Sequence, residues 1–224
     1  KKKNKDTIKI IASKPQGFKT KVKINYNNTI YNFSVNLIGK FQLENLYHAI
    51  LLSISSGLKI KQILKVVEKL KPIKGRLNIF KKNNKIICLD YAHTPDGLKK
   101  VILTLKNHFN KNVNIVFGCG GNRDKGKRIK MGKIVKKLCK NIIITTDNPR
   151  HENPVEINKQ IYNSTKRGQI ISNRKTAINQ GIKNLADSEV LLIAGKGHEN
   201  NQIIKDKKIY FSDYDEIKKN LWKK

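Results

Sequence analysis

The sequence predicts an α/β fold on a mostly parallel, doubly wound sheet, and three observations carry that prediction. From Lys85 onward, apolar runs of strand length alternate with amphipathic runs of helix length, the order that a parallel sheet with crossover helices requires. The helix starts are well marked. Four of the strands run directly into loops rich in Gly, Asp, Asn, Arg and His, and the carboxyl edge of such a sheet is where ligands bind. A length of 224 residues allows one large domain or two small ones with a real core.

The elements follow in order. Residues 8–12 and 18–37 alternate apolar and polar positions, with turn signals at Pro15-Gln16-Gly17 and Asn27-Asn28, and read as short hairpin-like β-strands. From Phe41 to Ser56 the period becomes helical through Leu43, Leu46, Tyr47, Ile50, Leu51 and Ile54, and Gly57 ends the run. Ile60, Ile63, Leu64, Val67 and Leu70 make a second amphipathic helix, closed by Pro72. These elements make a poor autonomous domain, so the first third reads as the end of something larger. The first residue is not Met, as in a piece of a longer protein. Pro72-Ile73-Lys74-Gly75-Arg76 is a candidate hinge. Beyond it, strands are expected at Lys85–Asp90, Val113–Gly118, Asn141–Thr146, Gln169–Ser172, Val190–Ala194, Gln202–Ile204 and Lys208–Phe211. Helices are expected at Pro95–His108, Lys127–Lys140, Pro154–Thr165, Arg174–Ala186 and Asp213–Leu221. Thr94 can cap the first of these with Pro95 behind it. Asn153 is followed by Pro154 and, three residues on, by Glu156, a capping-box spacing.

Composition excludes several classes. The formal charge is +32, from 48 Lys and Arg against 16 Asp and Glu. Such a charge invites a nucleic-acid reading, but only six of the basic residues are Arg, and the Lys are scattered through every segment. Nucleic-acid readers favour Arg forks, and aromatics, 7% of the chain, do not interleave with a basic stripe. The abundance of Lys, Asn and Ile, which share A/T-rich codons, explains the charge by genome composition. Cys88, Cys119 and Cys139 are odd in number and form no Cys-x-x-Cys, which fits a reducing cytosol rather than a disulfide scaffold or zinc site. No apolar stretch approaches the ~20 residues of a membrane span. The basic start Lys1–Lys5 has no apolar segment behind it, so no secretory signal is read there.

The chemistry lies in the four loops. They are Asp90-Tyr91-Ala92-His93-Thr94-Pro95-Asp96, Gly118 to Arg128, Asp147-Asn148-Pro149-Arg150-His151-Glu152, and Gly195-Lys196-Gly197-His198-Glu199. Gly121 to Arg128 is one residue from a P-loop, but Arg128 stands where the Mg²⁺-holding Ser or Thr belongs, so it is not read as the ATP site. One reading is a flexible turn whose glycines supply positive φ; the other is an anion site made of helix-start amides and Arg123. Asp147–Arg150 reads either as a turn with a surface ion pair or as a receptor for a zwitterionic amino acid. In the second reading Arg150 forks onto a carboxylate, Asp147 and Asn148 accept from an ammonium, and Glu199 is a second acceptor. His93 and His198 have no further ligand at metal spacing.

These loops, in order and spacing, resemble the C-terminal domain of the Mur ligases, in the branch that adds meso-diaminopimelate. Leu37-Ile38-Gly39-Lys40-Phe41 through Asn45 resembles that family's Gly-x-Phe-Asn-x-x-Asn stretch, with Gln42 in place of the first Asn, and Gly75-Arg76 resembles its interdomain hinge. The resemblance implies that residues 75–224 form a Rossmann-like, amino-acid-binding C-terminal domain and that residues 1–74 end the central ATPase domain. It implies a cytoplasmic, ATP-dependent and Mg²⁺-dependent carboxylate–amine ligase of peptidoglycan precursor synthesis, with UDP-MurNAc-dipeptide and meso-diaminopimelate as substrates and an acyl phosphate intermediate. Carried over by position, Arg123 and Arg150 would hold carboxylates of diaminopimelate. Asp147, Asn148, Pro149, Gly195 and Glu199 would line its distal amino-acid end. Asn45, Arg76, Asp90 and His93 would sit near the nucleotide. The family's P-loop, its Mg²⁺-binding groups and its carbamylated lysine would lie in segments upstream of Lys1, so the chain alone is expected not to ligate. A folylpolyglutamate synthase relative and a non-catalytic basic nucleic-acid-binding module are the alternatives.

Overall fold

The structure is a computed structural model that describes residues 8–222; the basic start Lys1–Lys5 lies outside the described residues. The chain divides into two compact units, with the division between Pro72 and Ile73. In the first unit, β1 (Ile8–Gln16), β2 (Lys19–Tyr26) and β3 (Thr29–Val35) form an antiparallel meander in the order β1-β2-β3. Asn27 and Asn28, both at positive φ, turn the chain between β2 and β3, which is the conformation that Asn tolerates in a tight hairpin. The strand face carrying Val22, Ile24, Phe33 and Val35 shares one core with Leu43, Leu46, Tyr47 and Ile50 of α1 (Lys40–Ser55) and with Ile60, Ile63, Leu64 and Val67 of α2 (Ile60–Val67). α2 ends earlier than the apolar pattern predicts, because Leu70 follows the last helical turn.

The second unit holds a six-stranded sheet in the order β4-β5-β9-β6-β7-β8. Its strands are β4 (Asn78–Lys82), β5 (Lys85–Asp90), β6 (Asn112–Phe117), β7 (Ile142–Ile144), β8 (Gln169–Ile170) and β9 (Glu189–Ala194). Every pair is parallel except β4 with β5. β4 is an antiparallel edge strand that the sequence pattern does not show, since only Ile79 and Phe80 interrupt its polar run. The crossover helices are α3 (Pro95–Phe109), α4 (Gly126–Leu138), α5 (Pro154–Thr165), α6 (Arg174–Lys183) and α7 (Asp213–Trp222). One sheet face, with Ile87, Leu89, Val116, Leu191 and Ile193, packs on Ala177 and Ile178 of α6 and Ile217 and Leu221 of α7. The alternate residues Cys88, Ile115 and Leu192 are equally buried, so both faces are covered, as a parallel sheet requires. β10 (Asn201–Ile204) and β11 (Lys207–Tyr210) pair as a separate hairpin.

Thr94 caps α3, accepting from the Gly97 N–H with Pro95 behind it. The capping box at α5 does not form. Asn153 accepts from Val155 N instead, while Glu156 pairs with Lys159 one turn on. Among the described residues no helix is long and apolar enough to cross a membrane.

Candidate functional site

β5, β9, β6 and β7 are neighbours in the sheet, and their carboxyl ends are Asp90, Ala194, Phe117 and Ile144. The four chemically rich loops therefore leave one continuous edge, as a parallel sheet dictates. Glycine makes their mutual approach possible. A Cβ on Gly118 would stand 2.1 Å from the Thr145 carbonyl oxygen, and one on Gly121 would stand 1.9 Å from that of Pro149. The glycines of this loop serve close backbone packing rather than positive φ; the positive φ is at Asn122. Two of the loop's amides are engaged within the protein. Gly121 N donates to Asn148 O at 2.9 Å, and Gly126 N to Asp124 Oδ1 at 2.8 Å. These two amides are thus not available to an anion.

Arg128 is the brace beneath this loop. Its fully buried guanidinium bonds Gln160 at 2.8 Å and both oxygens of Glu152 at 2.9 and 3.0 Å. It thus ties the start of α4 to the Asp147–Glu152 loop and to α5. The hydrogen bond from Arg128 holds the Glu152 carboxyl below the usual glutamate range.

The Asp147–Arg150 loop meets the Gly195–Glu199 loop directly. Asp147, Asn148 and Pro149 are buried. Asp147 Oδ1 accepts from Asn148 N at 2.6 Å. Its Oδ2 lies so near Gly195 that a Cβ there would come within 2.8 Å, and Gly195 also holds a φ of +114, two reasons why this position takes only glycine. Asn148 Nδ2 donates to Glu199 Oε2 at 3.0 Å, and Asn148 Oδ1 accepts from Ile203 N at 3.0 Å and from Lys196 Nζ at 3.1 Å. Lys196, quoted above but given no role by the sequence, is fully buried and also reaches Glu199 Oε2 at 2.9 Å and Asn201 O at 2.6 Å. Burial pushes Glu199 up, but the Lys196 hydrogen bond and charge, with help from Asn148 and His198, hold it below its ordinary range.

Arg150 is half-buried and has a positive φ. Its backbone pairs with β10, through Ile203 O at 3.0 Å and Lys205 N at 2.8 Å. Its Nη1 donates to Gly121 O at 2.9 Å. A Cβ on Gly120 would fall 2.9 Å from that Nη1 and 3.9 Å from Arg123 Cγ, so Gly120 leaves open the space that the two arginines border. Arg123 is exposed, with no hydrogen bond or ion pair among the described residues. Behind the loops, Arg174 forks onto Asp213 at 2.8 and 2.7 Å and donates to Ala194 O at 3.0 Å, immediately before Gly195. No local sequence signal marks this buried pair, whose members are 39 residues apart.

The residues expected near a nucleotide fall in both units. Asn45 is exposed on α1, in the first unit. Arg76 lies over the Tyr91 ring at 4.5 Å. His93 packs edge-on to that ring at 4.6 Å, and His198 lies 5.1 Å from it, giving a cationic and aromatic surface. Asp90 is buried, and both carboxylate oxygens accept backbone amides, from Leu77 at 2.7 Å and Ala92 at 2.8 Å. It holds the backbone at Leu77, which has a φ of +43. Burial pushes its carboxyl up, against these amides and the charges of Arg76 and His93. Among the described residues no three His, Cys, Asp or Glu are grouped to hold a metal ion.

Residues 75–197 match the family of the Mur ligase, glutamate ligase domain. The chain is 45% identical to a 2,6-diaminopimelate ligase of Rickettsia felis acting, by its name, on UDP-N-acetylmuramoyl-L-alanyl-D-glutamate, over 87% of this chain and 37% of the relative. The namesake from Prochlorococcus marinus is 40% identical over 85% of this chain and 39% of its own length. A solved structure of a ligase of that name superposes with a TM-score of 0.72 at 30% identity, covering 98% of this chain and 46% of the other. A folylpolyglutamate synthase from Thermotoga maritima, at 22% identity and a TM-score of 0.66, shares the fold. The chain thus spans less than half the length of the relatives it matches. The matched family covers more than half of it, and relatives at 40–46% identity cover most of it, so this chain, with its strand-end loops at one sheet edge, belongs to the Mur ligases.

Proposed function

We propose that residues 75–224 are the amino-acid-binding domain of an ATP-dependent ligase that joins meso-diaminopimelate to the γ-carboxyl of UDP-N-acetylmuramoyl-L-alanyl-D-glutamate, with residues 1–74 the end of its central ATPase domain. The observation that carries the reading is the junction of the Asp147–Arg150 and Gly195–Glu199 loops, where two carboxylates, an amide and a guanidinium converge. That set suits a zwitterionic amino-acid end: Glu199 and Asp147 attract its ammonium, and Arg150, with Arg123 across the gap at Gly120, attracts carboxylates. The names of the relatives at 40–46% identity support diaminopimelate. Arg150 supplies the selection, because lysine has no distal carboxylate and would leave the guanidinium unpaired.

In the reaction, ATP converts the acceptor carboxylate to an acyl phosphate, and the free amine of diaminopimelate displaces phosphate to form the amide. This domain's part is to hold the amino acid by its distal end, so that the reacting amine is presented in a fixed direction. Arg76 and His93 around Tyr91 suit a polyanion, and they are the residues that would face the nucleotide phosphates; Asp90 acts there by holding the backbone at Leu77. The donor set does not fit Mg²⁺ by itself, and no step is assigned to it. The sequence holds no Gly-x-x-x-x-Gly-Lys-Ser/Thr, so the reading has the 224-residue chain bind amino acid without ligating, in the cytoplasm where the nucleotide precursor is made.

Calorimetric titration of the chain with meso-diaminopimelate and with L-lysine tests the proposal. The expected result is binding of the first and not the second, with Arg150→Ala weakening it by about 10- to 100-fold, the scale of a lost hydrogen bond to a charged group. Equal affinity for both ligands, or an unaffected Arg150→Ala variant, would overturn it.

A further inference from the structure

We propose that Lys196 is a positioning residue of the amino-acid site, whose buried ammonium orients Asn148 and Glu199 and sets the charge that they present to the ligand. The inference rests on the function proposed above, and it concerns a residue that touches no ligand. An ammonium has three N–H donors, and here all three are used, on Asn148 Oδ1, Glu199 Oε2 and Asn201 O. No donor remains for a substrate.

Two consequences follow from this geometry. Asn148 Oδ1 faces two donors, Lys196 and Ile203 N, so its amide is locked with Nδ2 toward Glu199. A flipped amide would set N–H against N–H. Glu199 Oε2 receives both Lys196 and Asn148, while its Oε1 makes no hydrogen bond among the described residues and is the oxygen left for a ligand ammonium. The charged neighbours of Glu199 are few. The Glu199 carboxylate faces the Lys196 cation; His198 adjoins Glu199; and Arg174, from α6, which also feels Asp147 and Glu199, is forked onto Asp213. The backbone is shaped for this inward turn, since Gly195 and Gly197 on either side both hold positive φ. A Cβ on Gly197 would stand 2.7 Å from Gly75 O and from the Tyr91 side chain.

Burial alone would push Glu199 toward protonation, and Lys196 counteracts it. Removing the cation therefore raises the pH below which Glu199 cannot accept an ammonium. Lys196→Met and Lys196→Arg chains, titrated with meso-diaminopimelate between about pH 3.5 and pH 7, a range that spans the ordinary glutamate value, test this. The Met variant is expected to bind about tenfold more weakly at the acid end, its acid limb moved up by about one pH unit. The Arg variant keeps the charge, and so keeps the acid limb of the parent while losing affinity across the range. A purely structural lysine would lower affinity in both variants with the limb unmoved, and that result overturns the proposal. If the Met variant fails to fold by circular dichroism, ¹³C titration of the Glu199 carboxyl in the unmodified chain decides instead. A midpoint below the ordinary glutamate range supports the role, and one at or above it overturns it. The same titration serves if the unmodified chain binds no diaminopimelate, in which case the functional reading fails while the role of Lys196 is judged separately.

Discussion

Asp213→Leu should be among the most damaging single changes to the second unit. Arg174 and Asp213 are both fully buried and joined by two hydrogen bonds, at 2.8 and 2.7 Å. The guanidinium's other contact is neutral, the Ala194 carbonyl, and its Nη1 has no partner. Deleting the carboxylate leaves a desolvated cation without its hydrogen-bonded counter-charge, with only the Asp147 and Glu199 carboxylates acting on it from farther off, which costs about 3–5 kcal/mol. A Coulomb estimate agrees: two unit charges about 4 Å apart at an effective dielectric of 20 interact by about 4 kcal/mol. At about 2–4 °C per kcal/mol for a unit of this size, the melting point should fall by about 6–20 °C. Trp222, the single tryptophan, sits in α7 with its ring 6.5 Å from that of Phe80, so its fluorescence in urea reports this helix. Arg174→Met should cost less, and the Arg174→Met/Asp213→Leu pair should recover much of the loss, since a buried ion pair replaced by apolar side chains is often neutral. Single variants that each lose under about 1 kcal/mol, with strictly additive effects, would refute the reasoning.

Two further outcomes follow from the site's framework. Gly121→Ala places a Cβ against the Pro149 carbonyl at 1.9 Å, and overpacking of this kind should cost about 1–3 kcal/mol in urea unfolding and weaken amino-acid binding by displacing Arg150. On the acid side, Glu152 is held low by Arg128, and Glu189 is held low by Lys140 and Asn114 against its own burial. Folded values depressed in this way give stability that is complete above the ordinary glutamate range and is lost as pH falls through the lowered values. Urea midpoints should therefore decline below about pH 5, and Glu152→Gln should flatten part of that slope.

Much of this molecule was legible in its sequence, for physical reasons. Strand–helix alternation and well-marked caps such as Thr94-Pro95 are local signals, and they located the crossover helices of the sheet to within a few residues. The unusual loops fell at one edge because parallel strands allow nothing else. What escaped notice was decided by tertiary structure. Lys196 is one lysine among many, and nothing beside it in the chain says that it turns inward on Asn148. The partners that bury Arg128 and Arg174, Glu152 and Asp213, are 24 and 39 residues away. β4 has too few apolar residues to show a period, because it is an edge strand. Asp90 accepts backbone amides from Leu77 and Ala92, and Leu77 lies 13 residues back in the chain. The glycines of 118–121 suggested positive φ, whereas what they permit is contact with the next loop.

The most direct test of the central claim is to map meso-diaminopimelate onto the chain by amide and side-chain NMR shifts. The account predicts shifts concentrated at Gly120–Arg123, Asp147–Arg150 and Gly195–Glu199, with the Arg150 guanidinium and the Asn148 amide moving together. Saturable binding whose shifts avoid those three loops, or spread over the lysines of the α4–α5 surface instead, would contradict it.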